Sequence, residues 1–544
     1  MDVRPTIGSS APTMWADTFT SLSADMNKVQ EKYAQDIEAP KEEARSMLTA
    51  KGSRTADRLI LIDTLERLGV AYHFEQEIED QLQEIFQFHP KDENHYDLFT
   101  TALQFRLLRQ HRHFVSCSVF DKFKSEDNKF KETLKNDGKG LLSLYEAAQL
   151  RIHGEAILEE AVAFTTHHLK RMLQQLECPL QDQVKRALQH SLHRGVPRIE
   201  TRHFISFYER DDSKNQLLLK LAKLDFNYLQ NVYKKELHDL TRWWNEFDLK
   251  SKLPYARDRL VEAYFWGIAL HFKPQDSYAR VAIAKSTQMI TTANDTYDSY
   301  ATLENAHLFT EILERWDVNE IYQLPDYMKI VYKFILSIYE DYEIEASKQG
   351  KSYAVCYAKE SVKQLCKAYD KMLKWAMGQV PMPTFEEYVA NMMVTSCVYV
   401  LLTSNILAAK SAPKETIDWL MSEPKIVAAA AKIGRYLNDL GSYERESKGG
   451  NLPVAVRCYM KQYGVSKEEA LDKFVEQVED AWKDLNTEWI TQTSVLGRDI
   501  VAEQLLNYAR AAEMTYENCE DGITNPEKYM APQLVALFVD PIHI

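Results

Sequence analysis

Glycine and proline are scarce in this chain, at 17 each in 544 residues. That argues against a fold of many tight turns and favours long helices. Cysteine is sparse too. The seven thiols (Cys117, Cys178, Cys356, Cys366, Cys397, Cys458 and Cys519) are scattered, with no paired zinc spacing. This odd, dispersed set fits reduced thiols and a cytoplasmic location, not a disulfide framework. Basic residues are in deficit: 66 Lys and Arg stand against 80 Asp and Glu, a net charge of −14. Nucleic acid and anionic membrane are therefore poor candidates for the main partner. No apolar run is long enough to span a bilayer. Strand-like alternation of useful length is absent as well.

What remains is a helical, globular chain. It is 45% apolar and 11% aromatic, and long enough for two or more domains with sizeable cores. In the first half, Leu61, Leu65 and Leu68 recur at helical spacing and stop at Gly69. Ile78, Leu82 and Ile85 repeat the pattern, and the stretches Leu103–His111 and Leu141–Ala147 continue it. No carboxylate or metal constellation stands out there, and Asp211 begins an exposed turn. Residues 1–220 are expected to form a helical scaffold domain and residues 221–544 a second domain. No Gly/Pro-rich linker separates them, so close packing is expected.

The second half carries two polar clusters. In Thr291–Tyr300 (TTANDTYDSY), Asn294 and Asp298 are four residues apart, on one helical face. Asp295 lies about 100° round the helix. Oxygen-bearing side chains on one helix wall can hold Mg²⁺. By itself, an acidic i, i+4 pair usually sits on a solvated face. The second cluster spans Arg435–Asn451 (RYLNDLGSYERESKGGN). Asn438, Ser442 and Glu446 fall at i, i+4 and i+8, rotating by about 40° per step, and line one wall. An amide, a hydroxyl and a carboxylate make an oxygen triad for one Mg²⁺. Arg435 lies one turn before the triad. Lys448 leads into Gly449-Gly450, which ends the helix. A site mixing carboxylates with Arg and Lys suits metal plus phosphate oxygens.

These paired motifs resemble those of plant sesquiterpene synthases, which are class I terpene cyclases. In that family a DDxxD motif and a second motif, (N/D)D(L/I/V)x(S/T)xxxE, face each other across a helical bundle. NDTYD at Asn294–Asp298 occupies the first. NDLGSYERE at Asn438–Glu446 matches the second at every defined position. The likeness covers nearly the whole chain. The resemblance implies an all-α fold of two helical domains, an N-terminal barrel and a C-terminal class I terpenoid synthase bundle. It implies an N-terminal segment that folds back over the bundle's mouth. The DxDD motif of protonation-initiated cyclases is absent.

The resemblance also implies the chemistry: ionisation and cyclisation of farnesyl diphosphate. The expected cofactor is a three-ion Mg²⁺ cluster, with Mn²⁺ as substitute, and the expected state is a monomer. The implied metal ligands are Asn294, Asp295 and Asp298 on one wall and Asn438, Ser442 and Glu446 on the other. Arg257 and Arg259, flanking Asp258 on a loop before a helix, can clamp a departing diphosphate. Arg435 and Lys448 join them at the substrate. Trp266 stands at the base of the pocket, where its π face can stabilise a carbocation. Without the resemblance it reads as core. Thr395, Ser396 and Cys397 put small polar side chains mid-helix, where back-bonding hydroxyls can bend it and turn carbonyls toward the pocket. Tyr516 and Asp521, before a turn at Gly522–Pro526, form a lid that meets the Asn438 region.

The start of the chain, Arg4-Pro5 followed by Trp15, lacks the Ser- and Arg-rich leader of plastid members and resembles the cytosolic, farnesyl-using branch. One departure concerns Asn294, where the family usually has Asp. A neutral amide is a poorer bridge between metals, so weaker Mg²⁺ binding is expected at that wall. Some germacrene D synthases resemble this NDTYD variant, which makes germacrene D the expected product. Two rival readings are a chain-elongating prenyltransferase, which would want two Asp-rich motifs, and a catalytically impaired helical scaffold, which Asn294 favours.

Overall fold

The computed structural model describes residues 12–15, 17–88, 95–408, 412–448, 454–491 and 498–544, without the side chains at 88, 448, 498 and 499. Arg4, Pro5, Gly449, Gly450, Asn451 and the side chain of Lys448 lie outside the described residues. Helices dominate, and no strand longer than the single bridge Lys124–Phe130 occurs among the described residues. The first nine helices are α1 (Met26–Leu48), α2 (Thr55–Arg67), α3 (Glu75–Phe88), α4 (Leu98–Gln110), α5 (Gly138–Ala148), α6 (Ala156–Met172), α7 (Leu180–Gln189), α8 (Pro197–Glu209) and α9 (Gln216–Phe247). There follow α10 (Leu249–Lys252), α11 (Leu260–Leu270), α12 (Ser277–Asp295), α13 (Leu303–Arg315), α14 (Asp326–Lys348), α15 (Ser352–Ala376), α16 (Phe385–Thr395), α17 (Val398–Ala408) and α18 (Lys414–Met421). The last six are α19 (Lys425–Lys448), α20 (Val454–Tyr463), α21 (Lys467–Thr491), α22 (Arg498–Thr515), α23 (Pro526–Tyr529) and α24 (Ala531–Phe538).

The chain divides into two compact units. One comprises Ala24–Val232, Lys483–Thr493 and Val535–Ile544; the other comprises the residues up to Ser23, Tyr233–Trp482 and Ser494–Leu534. The division falls inside α9, α21 and α24. Proline and glycine do not interrupt α9, which is why composition carries no sign of where one unit gives way to the other.

In the first unit, α4, α5 and α6 close around Ala102, Phe105, Leu144, Ala148, Leu158 and Ala161. On α2 the inner face is Leu59, Ile62 and Leu65. Leu65 and Leu68 are buried as expected, while Leu61 is only half-buried and Ile62 takes its place on the inner face. Helix α2 stops as expected: Gly69 has φ +72°, and a Cβ there would meet Thr201 Oγ1 at 2.5 Å. Charged groups are buried in pairs. Arg109 Nη1 donates to Glu155 Oε2 (2.8 Å) and to the carbonyl of Leu150 (3.0 Å).

His111, just past the end of α4, ties three helices together. Its Nε2 meets Glu66 of α2 at 2.6 Å and its Nδ1 meets Glu79 of α3 at 3.2 Å. Burial alone would lower the imidazolium, but Glu66 and Glu79 overcome it and push the group up to about 10. Hydrogen bonds from His111 and His113 hold Glu79 down at about 2.

The second unit surrounds α11, whose eleven residues are all buried. Helix α11 packs on α12 and α22, α12 on α14 and α17, and α19 on α16 and α22. The α11–α12 approach needs Gly267, where a Cβ would lie 2.6 Å from the carbonyl oxygen of Arg280. Trp15, from the start of the chain, belongs to this unit: its indole N–H donates to Glu262 Oε1 of α11 at 2.9 Å. The stretch Phe385–Ala408 is apolar enough to cross a membrane by composition, yet 67% of it is buried within the protein. It is a core element here.

The His111 network carries a stability prediction. A folded pKa raised from 6.5 to about 10 gives stability that is complete below about pH 6.5 and lost as pH rises through 10. The depressed Glu79 gives stability present above pH 4.5 and lost as pH falls through about 2. His111→Gln is expected to cost about 2 kcal/mol of stability. Denaturant unfolding should show that deficit in full between pH 5 and 6.5, shrinking toward pH 10. A deficit that does not change with pH would show that packing, not charge, is responsible.

Candidate active site

The site is built on α12. Four-residue back-bonding hydroxyls (Thr287, Thr291, Thr292 and Thr296) run along it, and the helix ends in a widened turn over Thr296–Tyr300. There the Ala301 N–H reaches the carbonyl of Thr296, five residues back, at 2.8 Å. Asn294 and Asp298 stay on one side across this change, and Asn294 Nδ2 donates to Asp298 Oδ2 at 2.7 Å. Asp295 does not join them. It is 4% exposed, and both its oxygens are taken by Arg257. The Arg257 backbone N–H reaches Oδ2 at 2.7 Å, Nε reaches Oδ1 at 2.9 Å and Nη2 reaches Oδ1 at 2.7 Å. Burial disfavours the guanidinium charge, and Asp295 more than offsets that, so Arg257 is held firmly protonated.

The opposite wall is α19. Asn438 and Glu446 both face a cavity of about 180 Å³ that Asn294, Asp298 and Arg257 also line. Asn438 Nδ2 donates to the Tyr516 hydroxyl at 2.9 Å. Ser442 lies between them, 1% exposed, with its hydroxyl against the Glu446 carboxyl. Burial pushes the Glu446 carboxyl up to about 6, opposed by the neighbouring Ser442 hydroxyl, Arg435 and Arg445. Arg435 is fixed by Asp439 at 2.8 Å and points into the same cavity.

A loop closes the side between the walls. Asp521 Oδ1 accepts the N–H groups of Ile523 (3.1 Å) and Thr524 (2.9 Å), and its Oδ2 accepts the Thr524 hydroxyl at 2.6 Å. Arg445 of α19 reaches Asp521 Oδ2 at 3.3 Å, and Arg257 Nη1 donates to Thr524 Oγ1 at 3.0 Å. Arg259 does not line the cavity. Its Nε donates to the Ile523 carbonyl at 2.7 Å and its Nη2 to the Thr524 carbonyl at 3.3 Å. Of the two arginines read as a clamp, one faces the pocket and one holds the loop.

The base is apolar and aromatic. Trp266 is 8% exposed and its ring lies 5.4 Å from that of Tyr508. Between α16 and α17 the helix does more than bend: Cys397 has φ +65° and the two helices separate there. Ser396 Oγ bonds back to the Met393 carbonyl at 2.6 Å, and Tyr508 donates to the Ser396 carbonyl at 2.7 Å. Thr395, Ser396 and Cys397 all line the cavity, with Ile290, Tyr369 and Leu401.

These donors fit a hard cation. No group of three or more His, Cys, Asp or Glu side chains arranged to hold a metal ion occurs among the described residues. The set is a mixture of amide, hydroxyl and carboxylate oxygens. The charge-penalised Glu446, with the Ser442 hydroxyl beside it, is the group a divalent ion would satisfy.

Several participants escaped the sequence reading. Gln288 of α12, fully buried, accepts the Arg259 N–H at 3.0 Å and donates to the Arg257 carbonyl at 2.9 Å. Arg445, Thr524, Tyr369 and Tyr508 were missed too. Only Arg445 gave a signal, one residue before Glu446; the others depend on tertiary contacts.

A family profile described as the metal binding domain of the terpene synthase family matches residues 245–484, and one for the terpene synthase N-terminal domain matches residues 14–188. The chain belongs to the terpene synthase family. It is 52% identical to gamma-cadinene synthase of Ocimum basilicum, over all of this chain and 99% of that one. It is 50% identical to tau-cadinol synthase of Lavandula angustifolia, over 99% and 98%. Isoprene synthase of grey poplar, solved with three Mg²⁺ ions and dimethylallyl-S-thiolodiphosphate, superposes with a TM-score of 0.89 at 34% identity, over 96% and 99%. This terpene synthase therefore carries the all-α fold and the metal-binding domain expected of it.

Gln288 is the testable link between α12 and the arginine loop. Gln288→Leu leaves a buried carbonyl and a buried N–H unpaired, and is expected to cost about 2 kcal/mol. Thermal unfolding should detect it. An unchanged midpoint would mean the loop finds other partners and Gln288 does not hold it.

Proposed function

We propose that this terpene synthase is a sesquiterpene synthase that ionises farnesyl diphosphate and cyclises the resulting cation. The observation that carries the reading is a single cavity with two oxygen-bearing walls and three guanidinium groups at its mouth and indole and phenol rings at its base. Charge of one kind is gathered for a leaving diphosphate, and the other end offers the π faces of Trp266 and Tyr508 to a cation.

Asn294 and Asp298 on one side and Asn438, Ser442 and Glu446 on the other would hold magnesium, which when bound would supply the positive charge that makes diphosphate a leaving group. Asp295 acts through Arg257, which it orients. Arg257, Arg435 and Arg445 face the diphosphate oxygens, with Lys448 one turn beyond Arg445. Arg259 and Asp521 hold the loop that shuts out water, which would otherwise trap the cation. Tyr516 ties that loop's start to Asn438. When the carbon–oxygen bond breaks, the electron pair leaves with the diphosphate and an allylic cation remains. The π faces of Trp266 and Tyr508 stabilise it, and the Tyr508 hydroxyl is engaged with the Ser396 carbonyl. A double bond of the same chain attacks the cation and closes the ring, and a final proton passes to the released diphosphate. All seven cysteines are free, which supports a reducing, cytoplasmic setting.

The proposed product is germacrene D. Purified protein with Mg²⁺ and farnesyl diphosphate, analysed by gas chromatography beside a geranyl diphosphate reaction, should give one cyclic sesquiterpene. A cadinane skeleton, as the relatives' names suggest, would overturn the product assignment and keep the class. No product from folded protein at any Mg²⁺ concentration would overturn the class. A second experiment addresses Asn294. Asn294→Asp restores a bridging carboxylate and should lower the Mg²⁺ concentration for half-maximal rate several-fold. Unchanged magnesium dependence would remove the bridging argument.

A further inference from the structure

The break between α16 and α17 leaves a helix end beside the active-site cavity, lined there by Thr395, Ser396 and Cys397. The last carbonyls of a helix lack intrahelical partners and carry partial negative charge, which favours a cation nearby. Two carbonyls at this break are served from within it. Ser396 Oγ donates to the Met393 carbonyl at 2.6 Å, and the Cys397 S–H reaches the Thr395 carbonyl at 3.3 Å. The Ser396 carbonyl is served from another helix: the hydroxyl of Tyr508, on α22, donates to it at 2.7 Å. Ser396 Oγ sits beside the same phenol oxygen, and burial pushes that phenol well above its usual range, so it stays protonated and donating.

Gly434 of α19 makes room for this contact. Glycine weakens a helix interior, so its presence there needs a reason. A Cβ on Gly434 would lie 2.4 Å from the Tyr508 hydroxyl oxygen and 2.8 Å from its Cε1. Any side chain at 434 therefore displaces the phenol. Gly434, Tyr508, Ser396 and Trp266 all line the one cavity, and the Tyr508 ring lies 5.4 Å from that of Trp266. The ring offers a π face, while its hydroxyl occupies the negative end of a carbonyl dipole.

We propose that Gly434 and Tyr508 are product-determining residues: the glycine seats the phenol on the Ser396 carbonyl, and the phenol denies that carbonyl to the migrating cation. This rests on the sesquiterpene reading above. With the carbonyl masked, positive charge is held by the ring faces of Trp266 and Tyr508. Paths whose cations would place their charge at the helix break are disfavoured. Freeing the carbonyl opens those paths, because a dipole in a water-poor site acts strongly on a nearby charge.

Two substitutions free it in different ways. Tyr508→Phe keeps the ring and removes the donor. Gly434→Ala keeps the hydroxyl and pushes it off the carbonyl. Gas chromatography after reaction with farnesyl diphosphate and Mg²⁺ should show the same new cyclic hydrocarbons from both, each rising about fivefold or more against the wild-type main product. Tyr369→Phe removes a hydroxyl that meets Cys397 Sγ at 3.5 Å rather than a carbonyl, and should not bring up those compounds. Thermal unfolding checks that each variant is folded; if Gly434→Ala is not, Tyr508→Phe decides alone. An unchanged product pattern from folded Tyr508→Phe overturns the inference. So does a different pattern from folded Gly434→Ala, or the same new compounds from Tyr369→Phe, which would point to general loosening of the pocket. Wild-type protein that yields no hydrocarbon at all overturns the sesquiterpene reading and this inference with it, so the two failures are told apart.

Discussion

The site depends on the contact between Arg257 and Asp295. Buried ion pairs are costly, because the desolvation of two charges can exceed their mutual attraction. This one is better understood through what it fixes. It binds the loop before α11 to the end of α12, and through Thr524 it reaches the loop that carries Asp521. Three separate pieces of chain are thereby set around one cavity before any ligand arrives. Removing either charge would leave the other uncompensated, which costs about 3–5 kcal/mol. It would also release the guanidinium from its direction. Preorganised charge lowers a barrier because no reorganisation remains to be done when the bond breaks.

The same logic runs through the second wall. Arg435 is held by Asp439, Asn438 by Tyr516, and Arg445 by Asp521. Each group at the mouth has a partner that turns it inward. One is left with an unmet need: Glu446 bears the penalty of burial, only partly relieved by the Ser442 hydroxyl, Arg435 and Arg445. A wall that is fixed except where a cation would sit is built for that cation. At the aromatic base, Tyr508 is tied to the Ser396 carbonyl at 2.7 Å and packs its ring against Trp266.

How much of this could be read from sequence depends on whether a feature is local. The spacing of Asn438, Ser442 and Glu446 was legible because a helix repeats every few residues. Asn294 and Asp298 were legible for the same reason, and they survive the widened turn after Asp295. The interruption near Thr395–Cys397 was foreseen as a bend, since back-bonding hydroxyls act within one turn; its extent, a left-handed Cys397, was not. Arg259 was read with Arg257 because both sit on one short loop. Their opposite directions come from Ile523 and Thr524, more than 260 residues away in sequence and beyond any local pattern. Gln288 was invisible for a related reason: a glutamine in an apolar stretch shows its use only when the loop it holds is in place. Of the Leu61, Leu65 and Leu68 stripe, Leu65 and Leu68 are buried as read, and only Leu61 gives way, to Ile62, because adjacent leucine and isoleucine leave that turn of α2 open until packing selects one.

Asn294 brings these threads together. Two carboxylates one turn apart at an unfilled mouth would repel each other. Here an amide N–H donates to Asp298 instead, so the wall is at rest without a metal. That rest has a consequence for binding. A cation must break the Asn294–Asp298 hydrogen bond, and gains from Asn294 only a neutral oxygen. On the opposite wall the Ser442 hydroxyl bonds to the Glu446 carboxyl, so there too a cation would displace an internal hydrogen bond. Each wall would meet it with one carboxylate, Asp298 or Glu446, and neutral oxygens beside it. Neither wall would complete a cation's coordination alone, and diphosphate oxygens would supply the rest.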